Sequence, residues 1–270
     1  MHRYRSLAAL LCAAVLSSCN WFNDVGIRDI AAPAASARIK FHNFSPSSVG
    51  VNFYANDQKM TAIQTSACGV PATAADSTAC ATAGEESATG TGYGGVPTGS
   101  HYDAIAPGQY ALAAKIAAQS SVVSTLSQTV ADGKYYSYFM SGVYNTTSKT
   151  AEAFIVEDPI PAGPADYTVA NVRFVNAVSN GTGPLTLYVT NAETKAETAI
   201  GSAVAYKSAG AFVTVPVGTY SLAVRYSGST TNVISRTGLA FLGGRVYTVT
   251  ARGSTATTST LGLDFTENQR

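Results

Sequence analysis

Apolar side chains recur at every second position in short runs along this chain, and glycines break the runs. Tyr220, Leu222, Val224 and Tyr226 alternate with Ser221, Ala223, Arg225 and Ser227, which predicts a strand with one face on a core and the other in water. Val213 and Val215 precede them in the same phase, and Val246 to Ala251 is rich in β-branched residues. Gly218, Gly228, Gly243, Gly244 and Gly253 read as turns between these runs. One segment conflicts locally: Ala111 to Gln119 is alanine-rich and helical by propensity alone. Its alternating counterpart after Tyr220 argues for a strand.

That counterpart exists because the pattern is written twice. ARIKFHN (37–43) returns as ANVRFVN (170–176), with Lys40 matched to Arg173, Phe41 to Phe174 and Asn43 to Asn176. VNFY (51–54) answers LTLY (185–188), PGQYAL (107–112) answers VGTYSL (217–222), and GKYYSYF (133–139) answers GRVYTVT (244–250), always in the same order. The spacing drops between the second and third pairs, so the first copy holds an insertion of about 24 residues. Roughly seven strands per copy predict an all-β protein of two tandem immunoglobulin-like β-sandwiches; one closed barrel spanning both copies is the alternative. The expected limits are 37–156 for the first domain, with its insertion at about 56–100, then a proline-rich linker at 157–167. The second domain is expected at 168–265, followed by a tail at 266–270. Three prolines in the linker predict a stiff, extended connector.

Composition agrees with a strand-rich protein: 46% of residues are hydrophobic and only 12% charged, with 15 Tyr and 24 Gly. The net charge of +1 and the absence of any basic run exclude a nucleic-acid surface. Residues 1–18 have a basic start (His2, Arg3, Arg5), an apolar stretch from Leu7 to Leu16 and a small-residue cut site at Ser17 and Ser18. The apolar stretch is shorter than the about 20 residues that a membrane-spanning helix needs. This start resembles the lipobox of bacterial lipoproteins, which implies cleavage before Cys19 and a lipid on its thiol. A plain secretory signal cut elsewhere is the alternative. The implied protein is anchored in the cell envelope, at the outer membrane rather than the inner one because Asn20 follows the cysteine. Residues 19–36 are then a stalk, with Trp21 and Phe22 near the anchor.

Cys12 leaves with the signal, so Cys68 and Cys80 remain as a pair; a disulfide is expected in an oxidising compartment, against free thiols or a metal. A metal needs more ligands than His42 and His101 supply at their spacing. Residues 84–99 carry six glycines and almost no large apolar side chain, which predicts an exposed and mobile insertion.

The paired openings, PGQY with VGTY, and GKYY with GRVY resemble the bacterial family called domain of unknown function 4397, found in envelope lipoproteins, sometimes in tandem. The resemblance covers most of residues 37–265 and carries no catalytic or binding residue. Chemistry is otherwise sparse. GTGYGG (90–95) has the glycines of a phosphate loop without the strand and helix that flank one. There is no GxSxG, HExxH or calcium-loop motif. His42 stands where the second copy has Val175 and reads as a packed or half-exposed strand residue rather than a general base. Glu157 and Asp158 are neighbours that would face opposite ways on a strand. Tyr110 and Tyr220, each two residues after a glycine, read as tyrosine corners whose hydroxyls return to the backbone. Tyr93, His101, Tyr102 and Asp103 are the ligand-contact candidates, the last three as a polar cluster at the mouth of the insertion; an ordinary surface loop explains them equally well. The expected function is non-enzymatic: binding or adhesion to a glycan, peptide or partner protein, without cofactor or metal. A hydrolase using His101 and Asp103, or a structural scaffold, are the alternatives.

Overall fold

The computed structural model describes residues 36–60, 89–97, 101–162 and 165–268, and the elements named among them are all strands. In the first half these are β1 (Ala37–Asn43), β2 (Val51–Ala55), β3 (Gln58–Lys59), β4 (Asp103–Ile105), β5 (Gly108–Ile116), β6 (Val122–Val130), β7 (Tyr135–Asn145) and β8 (Thr150–Glu157). The second half has β9 (Val169–Ser179), β10 (Leu185–Asn191), β11 (Glu197–Val204), β12 (Ser208–Ala209), β13 (Val213–Pro216), β14 (Gly218–Tyr226), β15 (Ile234–Phe241), β16 (Val246–Ser254) and β17 (Thr257–Glu267). The alanine-rich segment is strand β5, paired on both sides, because its partners β2 and β6 satisfy a backbone that a helix would take away from them.

Each half is a β-sandwich. Sheets β4-β1-β7-β8 and β3-β2-β5-β6 form the first; β12-β9-β16-β17 and β11-β10-β14-β15 form the second, with β13 also on β9. The two halves repeat one strand order: β1 runs parallel to β7 as β9 does to β16, and β2 pairs antiparallel with β5 as β10 does with β14. Corresponding rungs match, Lys40 opposite Ser137 and Arg173 opposite Thr248. Ile39, Phe41, Phe53, Leu112 and Tyr138 fill one core; Val172, Phe174, Leu187, Leu222 and Val249 fill the other.

The outward faces of β1 and β9 do not meet water. A third apolar cluster, Phe44, Phe139, Phe154, Val175 and Ala177, lies where sheet β4-β1-β7-β8 packs on sheet β12-β9-β16-β17. The alternation is therefore lost in the burial of both strands: Lys40, His42 and Arg173 are each 1% exposed. Burying such side chains is costly unless partners are found, which makes this seam the chemically dense part of the molecule.

Both tyrosine corners form. The Tyr110 hydroxyl donates to the Ala106 carbonyl at 3.0 Å and the Tyr220 hydroxyl to the Pro216 carbonyl at 2.9 Å. Gly108 and Gly218 begin the two strands at φ +155° and +151°, where a side chain is strained. Tyr220→Phe should cost about 1 kcal/mol in urea unfolding, the net worth of one hydrogen bond.

Three expectations need correction. Of the insertion predicted to be exposed and mobile, residues 89–97 are held against the first sandwich: Thr91 and Val51 exchange two backbone hydrogen bonds of 2.8 and 3.1 Å, and Gly94 and Gly95 bracket Asn43 at 2.7 and 3.0 Å. Missing side chains let this backbone approach closely; a Cβ on Gly50 would lie 1.7 Å from the Thr89 carbonyl oxygen. The expected linker at 157–167 begins with Glu157, the last residue of β8, and Asp158, which is 1% exposed, so its first residues belong to the first sandwich and the seam. The expected tail is largely structured: β17 runs to Glu267, and Asn268 is 3% exposed. Cys19, Cys68 and Cys80 lie outside the described residues.

Candidate functional site

The seam is built from residues at corresponding positions of the two halves. Lys40 and Arg173 point outward from β1 and β9, and each reaches a residue just past the last strand of the other half. Arg173 forms an ion pair with Asp158, and its Nη1 donates to the Glu157 carbonyl at 3.0 Å. Lys40 Nζ donates to Asn268 Oδ1 at 3.1 Å. Asp158 and Asn268 are themselves placed alike, their N–H groups donating to the Tyr135 and Val246 carbonyls, both at 2.7 Å. The Ser137 hydroxyl then donates to Asp158 Oδ2 at 2.7 Å, while Asn268 Nδ2 donates to the Thr248 hydroxyl at 2.7 Å. Arg173 Nε reaches the same Thr248 oxygen at 3.0 Å. The halves thus exchange partners about an approximate two-fold, with one chemical difference: an aspartate closes one side and an asparagine the other.

Electrostatics follow from burial. Desolvation lowers the Lys40 amine to about 8, against the opposing pull of Asp158. His42, stacked on Phe139 with centroids 4.2 Å apart, donates from Nδ1 to the Tyr138 carbonyl at 3.1 Å. Burial lowers it to about 3, and the nearby Lys40 charge adds to that effect.

Of the four ligand-contact candidates, the structure brings one into the seam. Tyr102 lies beneath Lys40, the amine 4.2 Å from its ring centroid, and its hydroxyl donates to Asp158 Oδ2 at 2.6 Å. Burial, and then the Asp158 charge, push its phenol well above the usual range. Asp103 shares the core-facing side of β4 with Ile105, so the strand period turns it away from Tyr102. Its carboxyl is raised by burial to about 6, and Oδ2 has no hydrogen-bond partner among the described residues. His101 is exposed. Tyr93 is not a free loop aromatic: its hydroxyl donates to the Thr260 carbonyl and its ring faces Arg252 at 4.6 Å, which ties the insertion to the second sandwich. As the strand rule requires, Glu157 and Asp158 diverge, Glu157 to an exposed pair with Lys134 at 2.8 Å and Asp158 to the seam.

A second feature escaped the sequence reading. Two adjoining clefts, each of about 250 Å³, open beside Tyr206; one is lined by Gly142, Val143, Glu152, Ser179 and Asn180, the other by Val178, Gly181 to Leu185 and Ala205. The first joins both halves. The Tyr206 hydroxyl donates to Glu152 Oε2 at 2.8 Å, and Lys207 pairs with the same carboxylate at 3.0 Å. Tyr206 has no counterpart in the short matched motifs, so nothing in the pattern marked it. Among the described residues, no group of three or more His, Cys, Asp or Glu is placed to hold a metal ion, and no helix is long and apolar enough to cross a membrane.

Residues 170–270 match the family model described as domain of unknown function (DUF4397). No curated protein matches the chain. Solved structures similar to it include the TIE protein of Bacillus anthracis (12% identity, 82% of this chain and 34% of that one, TM-score 0.24). A leucine-rich repeat protein of Bacteroides thetaiotaomicron matches at 12% identity over 82% of this chain and 26% of its own, TM-score 0.19. A protein described as a cell adhesion protein, from Bacteroides uniformis, matches at 12% identity over 88% of this chain and 98% of its own, TM-score 0.25. The chain spans about a third of the first and a quarter of the second.

Proposed function

We propose that this is a lipid-anchored, non-enzymatic protein of the bacterial cell envelope, whose two fused sandwiches present a binding surface for a polar ligand, a glycan or a peptide. In this reading residues 37–158 are a second copy of the domain matched at 170–270, and Cys19 carries the anchor. The observation that carries it is the cleft at Tyr206, where loops of both halves meet. It combines an aromatic face, the Glu152 carboxylate and the Asn180 amide in an open recess, the mixture that stacks on and hydrogen-bonds to sugars and polar peptides. The strongly perturbed groups Lys40, His42 and Tyr102 lie apart from this cleft, in the seam, where an external substrate has no room.

The test uses the chain from Asn20 onward on glycan and peptide arrays. Binding that Tyr206→Ala removes, with stability held within about 1 kcal/mol, is the expected result. Turnover of a glycan or ester that His101→Ala abolishes would overturn it in favour of a hydrolase. Labelling cells with a clickable fatty acid should mark the wild type and leave Cys19→Ala unmarked.

A further inference from the structure

We propose that the side chains of Lys40 and Asn268 are joined by an intramolecular isopeptide bond, which ties the first strand of the first sandwich to the end of the last strand of the second. Lys40 Nζ already lies 3.1 Å from Asn268 Oδ1, and the two residues, 1% and 3% exposed, are sealed in the seam. Two reacting groups fixed side by side behave as if at very high concentration, which is what an otherwise sluggish attack of an amine on an amide requires.

The surrounding groups suit the reaction. The amine must be neutral to attack, and its burial holds it near the neutral range. The Thr248 hydroxyl lies 2.7 Å from Asn268 Nδ2, the nitrogen that must leave, and Arg173 Nε holds that hydroxyl at 3.0 Å. A bond forms between Nζ and Cγ of Asn268, and the bond from Cγ to Nδ2 breaks. One proton passes from Nζ of the neutral amine to Nδ2, and ammonia leaves. Nothing is oxidised or reduced. Water, the competing nucleophile, is kept out by the packing of the two sheets.

The pseudo-symmetric partner cannot follow the same course. Arg173 faces Asp158, and a guanidinium that stays protonated is no nucleophile. The asymmetry between the two halves of the seam thus has a chemical meaning: one crossing is an ion pair and the other a covalent link. The inference does not depend on what the Tyr206 cleft binds.

Peptide mapping of the full chain, reduced, denatured and digested with trypsin, decides it. The linked protein resists cleavage after Lys40 and yields a branched product, Ile39–Lys59 joined to the peptide that begins at Gly253, with the mass of the two less one ammonia. Lys40→Met and Asn268→Ala should each release the two peptides unjoined. Cleavage of the wild type after Lys40, with the Gly253 peptide free at its full mass, would overturn the proposal; this readout comes from the wild type and does not require either variant to fold.

Discussion

Arg173→Met should destabilise the protein by about 3–5 kcal/mol, the largest loss expected of any single polar substitution here. Removing the guanidinium leaves the Asp158 carboxylate, 1% exposed, hydrogen-bonded among the described residues to the hydroxyls of Ser137 and Tyr102. Two hydroxyls do not replace a charge in so deeply buried a site. Replacing both partners by apolar residues, as in Arg173→Met with Asp158→Leu, should recover most of the loss, because an empty pair avoids the desolvation that the intact pair carries. Urea unfolding of the four proteins of this cycle measures the coupling directly. A loss below about 1 kcal/mol for the single variant would mean that the pair is effectively hydrated. The damage also falls where the two sandwiches meet, so the variant should unfold in two steps where the wild type unfolds in one.

His42 governs the second large effect, which is acid sensitivity. Its folded pKa, about 3, lies below the ordinary 6.5, so the unfolded chain binds the proton first. The contribution of His42 is complete above pH 6.5 and is lost as pH falls toward 3, at up to about 1.4 kcal/mol per pH unit and about 5 kcal/mol in all. The groups that face it make protonation worse: Arg173 brings positive charge to the seam, and so does Lys40 wherever its amine is unlinked. His42→Phe keeps a flat ring on Phe139 and should cost about 1 kcal/mol at neutral pH for the hydrogen bond to Tyr138. Between pH 6.5 and 3 its stability should fall less steeply than that of the wild type. Parallel acid limbs for the two proteins would show that water reaches the ring.

How far the chain can be read without coordinates is clearest at β1 and β9. The alternation of Ile39 and Phe41 with Lys40 and His42 shows which side chains enter the core, and in the structure they do. It also marks Lys40 and Arg173 as facing the other way. A polar residue on an outward face reads as solvated, because a period of two says which face a residue occupies and nothing about what covers that face. The repetition of a basic residue at one position of both copies was the available sign that the face had a job. Glycine-rich residues 89–97 mislead for a related reason: few apolar side chains suggest an exposed loop, yet backbone groups can dock on strands without any side chain. Tyr102 and Asn268 are further instances, drawn into the seam by partners more than 50 residues away in sequence.

By itself, then, the sequence determined the strand class and the tyrosine corners, both set by local period and by short motifs. Tertiary structure alone decided that the two sandwiches join face to face, that Lys40, Arg173 and Asp158 are shut away from water, and that Tyr206 opens a cleft across the join. Local patterns record the conformation of a segment and the side it buries. Which surface it meets depends on long-range complementarity between segments, and no window along the chain contains that.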